Sequence, residues 1–553
     1  MHGTKEAQKG KQLHSFGITT RPLTESGLGR AGLDEDFRIL LPSGMLNLYS
    51  IKFAYQLISR MDPPEMRYFK RFSGFHGGDK IYMELFDRLR AQRRKGIPLK
   101  KVRSQLKKEE PKLETLVKHL NERLLEALTF YYESNSPEHR LAKSLRRVEF
   151  LLYKGMLATL PRMLLRIYNQ ALQEEKFAYA YQAIEMLKQL WGMNLIRGRG
   201  VRAEDLFRYT ERVLNYMERT HKLWYAAALY AEVIIEEGES QPREKLMLID
   251  QYVEQLGIRA PEPSDPLTLH FLYDTGQAIR ARLYGDHEKY LQLTRLLTYK
   301  LEQKPKKLQY LQSRYLLALN NLLAGLTERG AYTEARSVLE KLRKLNPTSR
   351  YMALQKERLL IFNELNLAFV EGDSERIAAA YPDYLHRLEK TYLRSSPAYG
   401  IHSYYLLAFN LYAAGRVHET FEILTRVEEG ALEMRRKDLL IAALIVRLLT
   451  AAQSGDPVLL RRAFRHAYRQ MRRSRTATPV EKIFMEYLQR ALKGEFTTVE
   501  AGLDAFAGYV KKIRESGEAA LQRFWEVFFP MDWMEKKIAQ YRAHLQAGET
   551  NRS

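Results

Sequence analysis

The chain has 553 residues, too many for one core of ordinary size, and its 45% hydrophobic, 11% aromatic and 28% charged residues argue against general disorder, so several domains or a repeat array are expected. Zero cysteines exclude disulfides, Cys-ligated zinc, iron–sulfur clusters and thiol nucleophiles together. The formal charge of +23 is clustered, with 16 Lys and Arg against 7 Asp and Glu in residues 64–120, and 7 arginines with no acid in residues 457–480; this admits an anionic partner (nucleic acid, a membrane surface or an acidic protein) without choosing among them.

Residues 1–44 are rich in Gly, Ser, Thr, Lys and Arg without sustained periodicity and are expected to be a flexible tail. Met45 opens the periodic part, which makes it an alternative start. The lysines near the amino terminus have no apolar stretch behind them, so no secretory signal is read and a cytoplasmic location is expected. From Met45 onward apolar residues recur at three- and four-residue spacing, and hairpin-type strand pairs are absent. The fold class predicted is therefore all-α. Asp62 before Pro63, Asp456 before Pro457 and Thr478 before Pro479 each place a capping side chain ahead of a proline at the first helical position.

Residues 45–136 read as a small basic helical domain, three or four short helices followed by the long "KLETLVKHLNERLLEALTFYYE". Within it, "FHGGDK" (Phe75 to Lys80) offers backbone N–H groups to an anion ahead of a helix, although the turn alone accounts for its two glycines. "SQLK" (Ser104 to Lys107) has the S-x-x-K spacing of serine acyl-transferases, but it sits in a lysine-rich run without companion motifs and is read as coincidence. Further on, "RGRG" (residues 197–200) with Arg202 has the composition of RNA-binding tracts, and a basic interhelical loop is the plainer reading.

Residues 137–495 carry a recurrent pattern. From Gly330, Tyr332, Ala335, Leu339, Leu342 and Pro347 follow at fixed offsets, and Leu326, Leu322 and Leu319 precede it. Gly155, Gly285, Gly372, Gly415 and Gly455 mark further turns; from Gly285 through Gly330 to Gly455 the intervals are 45, 42, 43 and 40 residues. The 319–347 spacing resembles the tetratricopeptide repeat, whose usual period is 34 residues, with leucines standing where that family has Trp, Gly and Tyr upstream. The resemblance implies a right-handed solenoid of antiparallel helical hairpins, here with a period of about 40–45 residues, whose first helices line a concave groove for peptides and whose second helices lie on the convex side. The segment "SRMDPPEMRYFKRFSGFHGGDKIYMELFDRL" resembles the opening of a group of bacterial helical-repeat proteins, a likeness that brings no activity with it; a helix-turn-helix module is the alternative for this region. Residues 496–553 are expected to supply capping helices and a tail, with Phe524, Trp525, Phe528, Phe529 and Trp533 closing the apolar end of the stack.

No catalytic, cofactor or metal constellation is found. The 13 histidines form no H-E-x-x-H-type pair, and neither a G-x-x-x-x-G-K-[ST] loop nor a G-x-S-x-G elbow occurs. The apolar run "LLIAALIVRLLTAA" at 439–452 contains Arg447 and is too short for a membrane span. In "RRAFRHAYRQMRRSR", at 100° per residue, Arg461, Arg462, Arg465, Arg469, Arg472 and Arg473 share an arc of about 120°, while Ala463, Phe464, Ala467, Tyr468 and Met471 occupy the opposite side. This arginine ridge is the candidate binding surface, unless acids one repeat earlier, such as Glu428, Glu429 and Glu433, neutralise it. A non-enzymatic scaffold for a protein or peptide partner is the first expectation; nucleic-acid binding through the basic helices and the ridge is the second.

Overall fold

The computed structural model describes residues 50–75, 81–94, 113–132, 137–196, 200–237, 243–392, 397–434, 436–472 and 479–495, with residues 101, 104, 505, 508 and 528. The expected tail, residues 1–44, lies outside them. The described residues form helices and no strand, so the protein is all-α as its periodicity predicts. Two compact units are present, Met1–Lys143 and Ser144–Ser553.

In the first unit, α1 (Ile51–Arg60), α2 (Pro63–Phe75) and α3 (Ile81–Arg94) each pack on α4 (Leu113–Tyr132). The apolar stripe Leu113, Val117, Leu120, Leu124 and Ala127 of α4 is buried against Phe69 and Phe86, whose rings lie 4.8 Å apart. Ser50 caps α1 by accepting the Phe53 N–H at 3.1 Å, and Asn121 of α4 donates to the Ser50 carbonyl at 3.2 Å, tying the cap to the core. At Pro63 the proline start predicted from sequence is present, and the Glu65 carboxylate reaches back to accept the Asp62 N–H, the glutamate half of a capping box. Glu65 also accepts from the Tyr132 hydroxyl; burial and this carboxylate hold that phenol well above its ordinary pKa.

Helix α5 (Pro137–Tyr153) carries the boundary between the units. The second unit continues through α6 (Leu160–Gln173), α7 (Phe177–Gly192), α8 (Ala203–Glu237), α9 (Arg243–Gln255), α10 (Leu267–Leu283), α11 (His287–Glu302), α12 (Pro305–Leu308), α13 (Gln312–Glu328), α14 (Tyr332–Lys344), α15 (Arg350–Glu371), α16 (Ser374–Ala379), α17 (Tyr381–Tyr392), α18 (Pro397–Ala413), α19 (Val417–Glu433), α20 (Lys437–Gln453), α21 (Pro457–Met471) and α22 (Pro479–Leu492). Helices pack chiefly on their sequence neighbours, and a second set of contacts links α8 to α10, α11 to α13, α13 to α15, α15 to α18 and α18 to α20.

One kind of helix stop recurs. Gly285, Gly330, Gly372, Gly415, Gly455 and Gly494 all have φ between 68° and 78°. In this left-handed region a Cβ is crowded by the carbonyl, so glycine is the cheap occupant. At five of the six the residue after the turn donates to a carbonyl five residues back: Asp286 to Ala281 and Ala331 to Leu326 at 2.9 Å, Asp373 to Ala368 at 3.0 Å, Arg416 to Leu411 at 2.9 Å and Glu495 to Arg490 at 3.2 Å; after Gly455 the Asp456 N–H donates to Ser454 Oγ at 3.3 Å. The backbone bonds satisfy carbonyls that a helix end leaves orphaned. Around Gly330, Ala335, Leu339 and Leu342 are buried with Leu319, Leu322 and Leu326; Tyr332 begins α14 half-buried, and Pro347 is exposed beyond its end. Enlarging Ala335 to leucine is expected to cost about 1–3 kcal/mol through overpacking, seen as a lower thermal midpoint of the full chain.

Helix α20 is buried on nearly every side, which explains its long apolar run. Among the described residues no helix is long and apolar enough to cross a membrane. Of the aromatic group near the carboxy terminus only Phe528 lies within the described residues. It is 3% exposed, its carbonyl accepts the Tyr405 hydroxyl at 2.7 Å, and its ring sits 5.5 Å from Tyr405 of α18.

Candidate arginine ridge and cleft

Helix α21 starts where its sequence signals: Asp456 accepts the Val458 N–H at 2.8 Å, with Pro457 in the first turn. Ala463, Ala467 and Met471 are buried, Phe464 and Tyr468 pack against the same core, and the Phe464 ring stands 5.9 Å from Tyr487 of α22. Arg461, Arg462, Arg465, Arg469 and Arg472 are exposed; Arg473 lies outside the described residues. Burial of the apolar arc thus dictates that the guanidinium arc faces water.

Elsewhere on this unit a number of exposed and half-buried arginines have carboxylate partners. Arg295 pairs with Glu334 at 2.5 Å, Arg329 with Glu288 and Arg336 with Glu371 at 2.8 Å, Arg387 with Glu357 at 2.7 Å and Arg426 with Glu389 at 2.8 Å. No ion pair joins any of the five ridge arginines to an acid among the described residues. Arg469 Nε donates to the Arg465 carbonyl at 3.3 Å, and the Arg472 guanidinium lies 5.9 Å from the Tyr468 ring centre. Like charges at i,i+4 destabilise an isolated helix by about 0.2–0.5 kcal/mol per pair, so Arg465→Gln is expected to leave the thermal midpoint unchanged or slightly raised.

Glu428, Glu429 and Glu433 do not neutralise the ridge. Glu429 and Glu433 are exposed on α19 and make no ion pair with it, whereas Glu428, its side chain 5% exposed, accepts from Arg447 Nε of α20 at 2.5 Å and lies 2.6 Å from His466 Nε2 of α21. Arg447, 13% exposed, also donates to Thr425 Oγ1 at 3.1 Å and lies 5.3 Å over the Phe421 ring. Glu428 therefore joins α19, α20 and α21. An open cleft of about 650 Å³ runs between α19, α20, α21 and α22, lined by Phe421, Leu459, Ala463, Leu492 and the ridge side chains Arg462, Arg465 and Arg469, together with Arg447, His466 and Tyr468.

A second open cleft, of about 850 Å³, is bordered by Arg162 and Arg166 of α6 and by Gly200 and Val201. Gly200, with φ 78°, is the described residue of the "RGRG" run; residues 197–199 lie outside the described set, as do His76 to Lys80 of "FHGGDK" and Lys107 of "SQLK". Ser104 donates to the Lys101 carbonyl at 3.0 Å. Among the described residues no group of His, Asp and Glu is arranged to hold a metal.

One site carries no local sequence signal. Glu175 occupies the left-handed turn after α6, φ 58°, where the corresponding turns have glycine or, after α7, Asn194. Its carboxylate, 1% exposed, accepts from the Leu267 N–H at 2.9 Å, the Thr268 N–H at 2.7 Å, the Thr268 hydroxyl at 2.6 Å and Lys307 Nζ at 2.7 Å. It caps α10, whose own N-cap residue, Pro266, offers no side-chain acceptor. The donors surround it completely enough to identify it as a structural staple.

No family model matches the chain, and no curated protein matches its sequence.

Proposed function

We propose that this protein is a non-enzymatic scaffold: residues 137–495 form a right-handed solenoid of antiparallel helical hairpins, similar to tetratricopeptide arrays, that presents its surface to a protein partner in the cytoplasm. The observation that carries this reading is the recurrence of one helix–left-handed turn–helix stop from Gly285 to Gly494, coupled to packing between helices two or three places apart. Such units leave an apolar face uncovered when alone and become stable by stacking, and long stacked surfaces serve recognition. A second reading, nucleic-acid binding, draws on the exposed ridge arginines without carboxylate partners, since guanidinium groups pair with phosphates and release counterions.

Fluorescence anisotropy with labelled single- and double-stranded DNA and RNA separates the two. The scaffold reading expects binding that is weak, disappears at near-physiological salt and ignores a variant with Arg461, Arg465, Arg469 and Arg472 changed to Gln. Retention at that salt, with collapse in the variant, overturns it in favour of nucleic acid. Cross-linking mass spectrometry in intact cells then identifies the protein partner and the face it touches.

A further inference from the structure

We infer that the cleft over α19–α22 docks an acidic peptide segment of the partner, one in which an apolar or aromatic anchor is flanked by carboxylates. This rests on the scaffold reading and adds to it the chemistry of the partner.

The cleft has a rim and a floor of different character. Arg462, Arg465 and Arg469 stand on the rim, exposed and without an ion pair among the described residues. Leu459, Ala463 and Leu492 line the same cleft and supply its aliphatic surface, with Leu492 38% exposed. Guanidinium forks bind carboxylates through paired N–H donors, and the apolar floor takes a side chain out of water, so one ligand must satisfy both. No acidic residue lines the cleft among the described residues to repel a carboxylate. Buried Glu428 has one oxygen on Arg447 and the other against His466, two residues of the cleft lining, so its charge is matched by Arg447. A volume of about 650 Å³ lies within the range of ordinary ligand sites and accommodates an anchor side chain with its flanking residues.

The same surface is poorly suited to bases. Single-stranded nucleic acid is held by stacking on bare aromatic faces. Here the Phe421 ring lies under Arg447 at 5.3 Å and the Tyr468 ring under Arg472 at 5.9 Å, so a guanidinium group already stands over one face of each. Charge complementarity and an aliphatic floor together favour peptide.

The test uses the full chain and four fluorescein-labelled probes: a 12-residue peptide alternating Asp with Leu and Phe, the same peptide with Ser for Leu and Phe, the same with Lys for Asp, and a single-stranded oligonucleotide. At near-physiological salt the acidic–apolar peptide is expected to bind, and to weaken by about tenfold or more in an R462Q/R465Q/R469Q variant and several-fold in L492S. Thermal melts matching wild type confirm that both variants fold. Equal binding of the Ser peptide overturns the proposal, because charge alone would then account for it; so does failure of the acidic–apolar peptide to bind, or binding unchanged in the triple variant. Tighter binding of the oligonucleotide, lost with the same arginines, overturns both the cleft assignment and the scaffold reading. A partner cross-linked to another face, with no peptide binding here, overturns the cleft assignment alone.

Discussion

Replacing Glu175 by alanine is expected to destabilise the second unit by about 3 kcal/mol, because the change strips the start of α10 of its acceptor. Two backbone N–H groups and one hydroxyl end on this carboxylate, from residues 92 and 93 positions away, and Lys307 approaches at 2.7 Å. Loss of an N-cap alone costs about 1 kcal/mol, and each buried donor left without an acceptor adds about 1–3 kcal/mol unless water enters. Thr268 has a further commitment, since Arg314 donates to its Oγ1 at 2.6 Å, so its hydroxyl cannot turn away freely. Glu175→Gln keeps an acceptor oxygen and is expected to lose less. Glu175→Gly removes the same acceptors as alanine but relieves the left-handed φ of 58°, recovering about 1 kcal/mol. Glutamine, glycine and alanine should therefore fall in that order of stability, read by urea denaturation of the full chain and by amide hydrogen exchange at the first turn of α10. Burial pushes the Glu175 carboxyl up, but hydrogen bonds from Lys307 and Thr268 outweigh it and leave the group below its ordinary value of 4.5. A depressed folded pKa means that the stabilisation is whole above the ordinary carboxylate range and is lost as pH falls through the folded value. The acid limb of the stability curve should thus be shallower in Glu175→Gln than in wild type.

What the sequence discloses divides along the range of the forces involved. The all-α class is legible because burial of one face imposes a three- and four-residue spacing, as in Leu113, Val117, Leu120 and Leu124. Turns at Gly330 and Gly415 are legible because left-handed backbone selects glycine. The turn at Glu175 escapes the same reasoning: a charged residue occupies the strained position, and its compensation comes from a helix 92 residues on. The division of α21 into packed and exposed arcs follows from periodicity alone. Its electrostatics do not, for Glu428 meets Arg447 and His466 at separations of 19 and 38 residues, which no local pattern encodes. The 35-residue α8 is likewise absent from the expected hairpin spacing, since a helix of that length is permitted by the apolar pattern without being required by it.

Removing the Glu428 carboxylate by Glu428→Ala is expected to cost about 3–5 kcal/mol and to loosen α21 as a unit. Arg447 would keep its charge in a largely buried position, still donating to Thr425, and His466 would lose the contact that ties α21 to α19. Arg447→Met should also be destabilising, because it leaves Glu428 buried with a histidine as its recorded partner. The two changes together, as Glu428→Met with Arg447→Met, remove both charges and restore apolar volume, so the double variant is expected to be more stable than the sum of the Glu428→Met and Arg447→Met singles predicts. A coupling energy of about 0.5–3 kcal/mol in a double-mutant cycle, measured by thermal or urea denaturation, identifies the pair as mutually dependent; strict additivity would reject that. The same cycle separates positioning from charge at the ridge. Every ridge arginine survives in Glu428→Ala, yet faster hydrogen exchange across residues 461–472 with weaker binding of the acidic–apolar peptide is expected, and the Met–Met variant should recover slow exchange. Recovery of exchange together with binding would show that the ridge acts through its fixed geometry, since the ridge arginines are kept in every variant and the Met–Met pair removes one charge of each sign at the cleft.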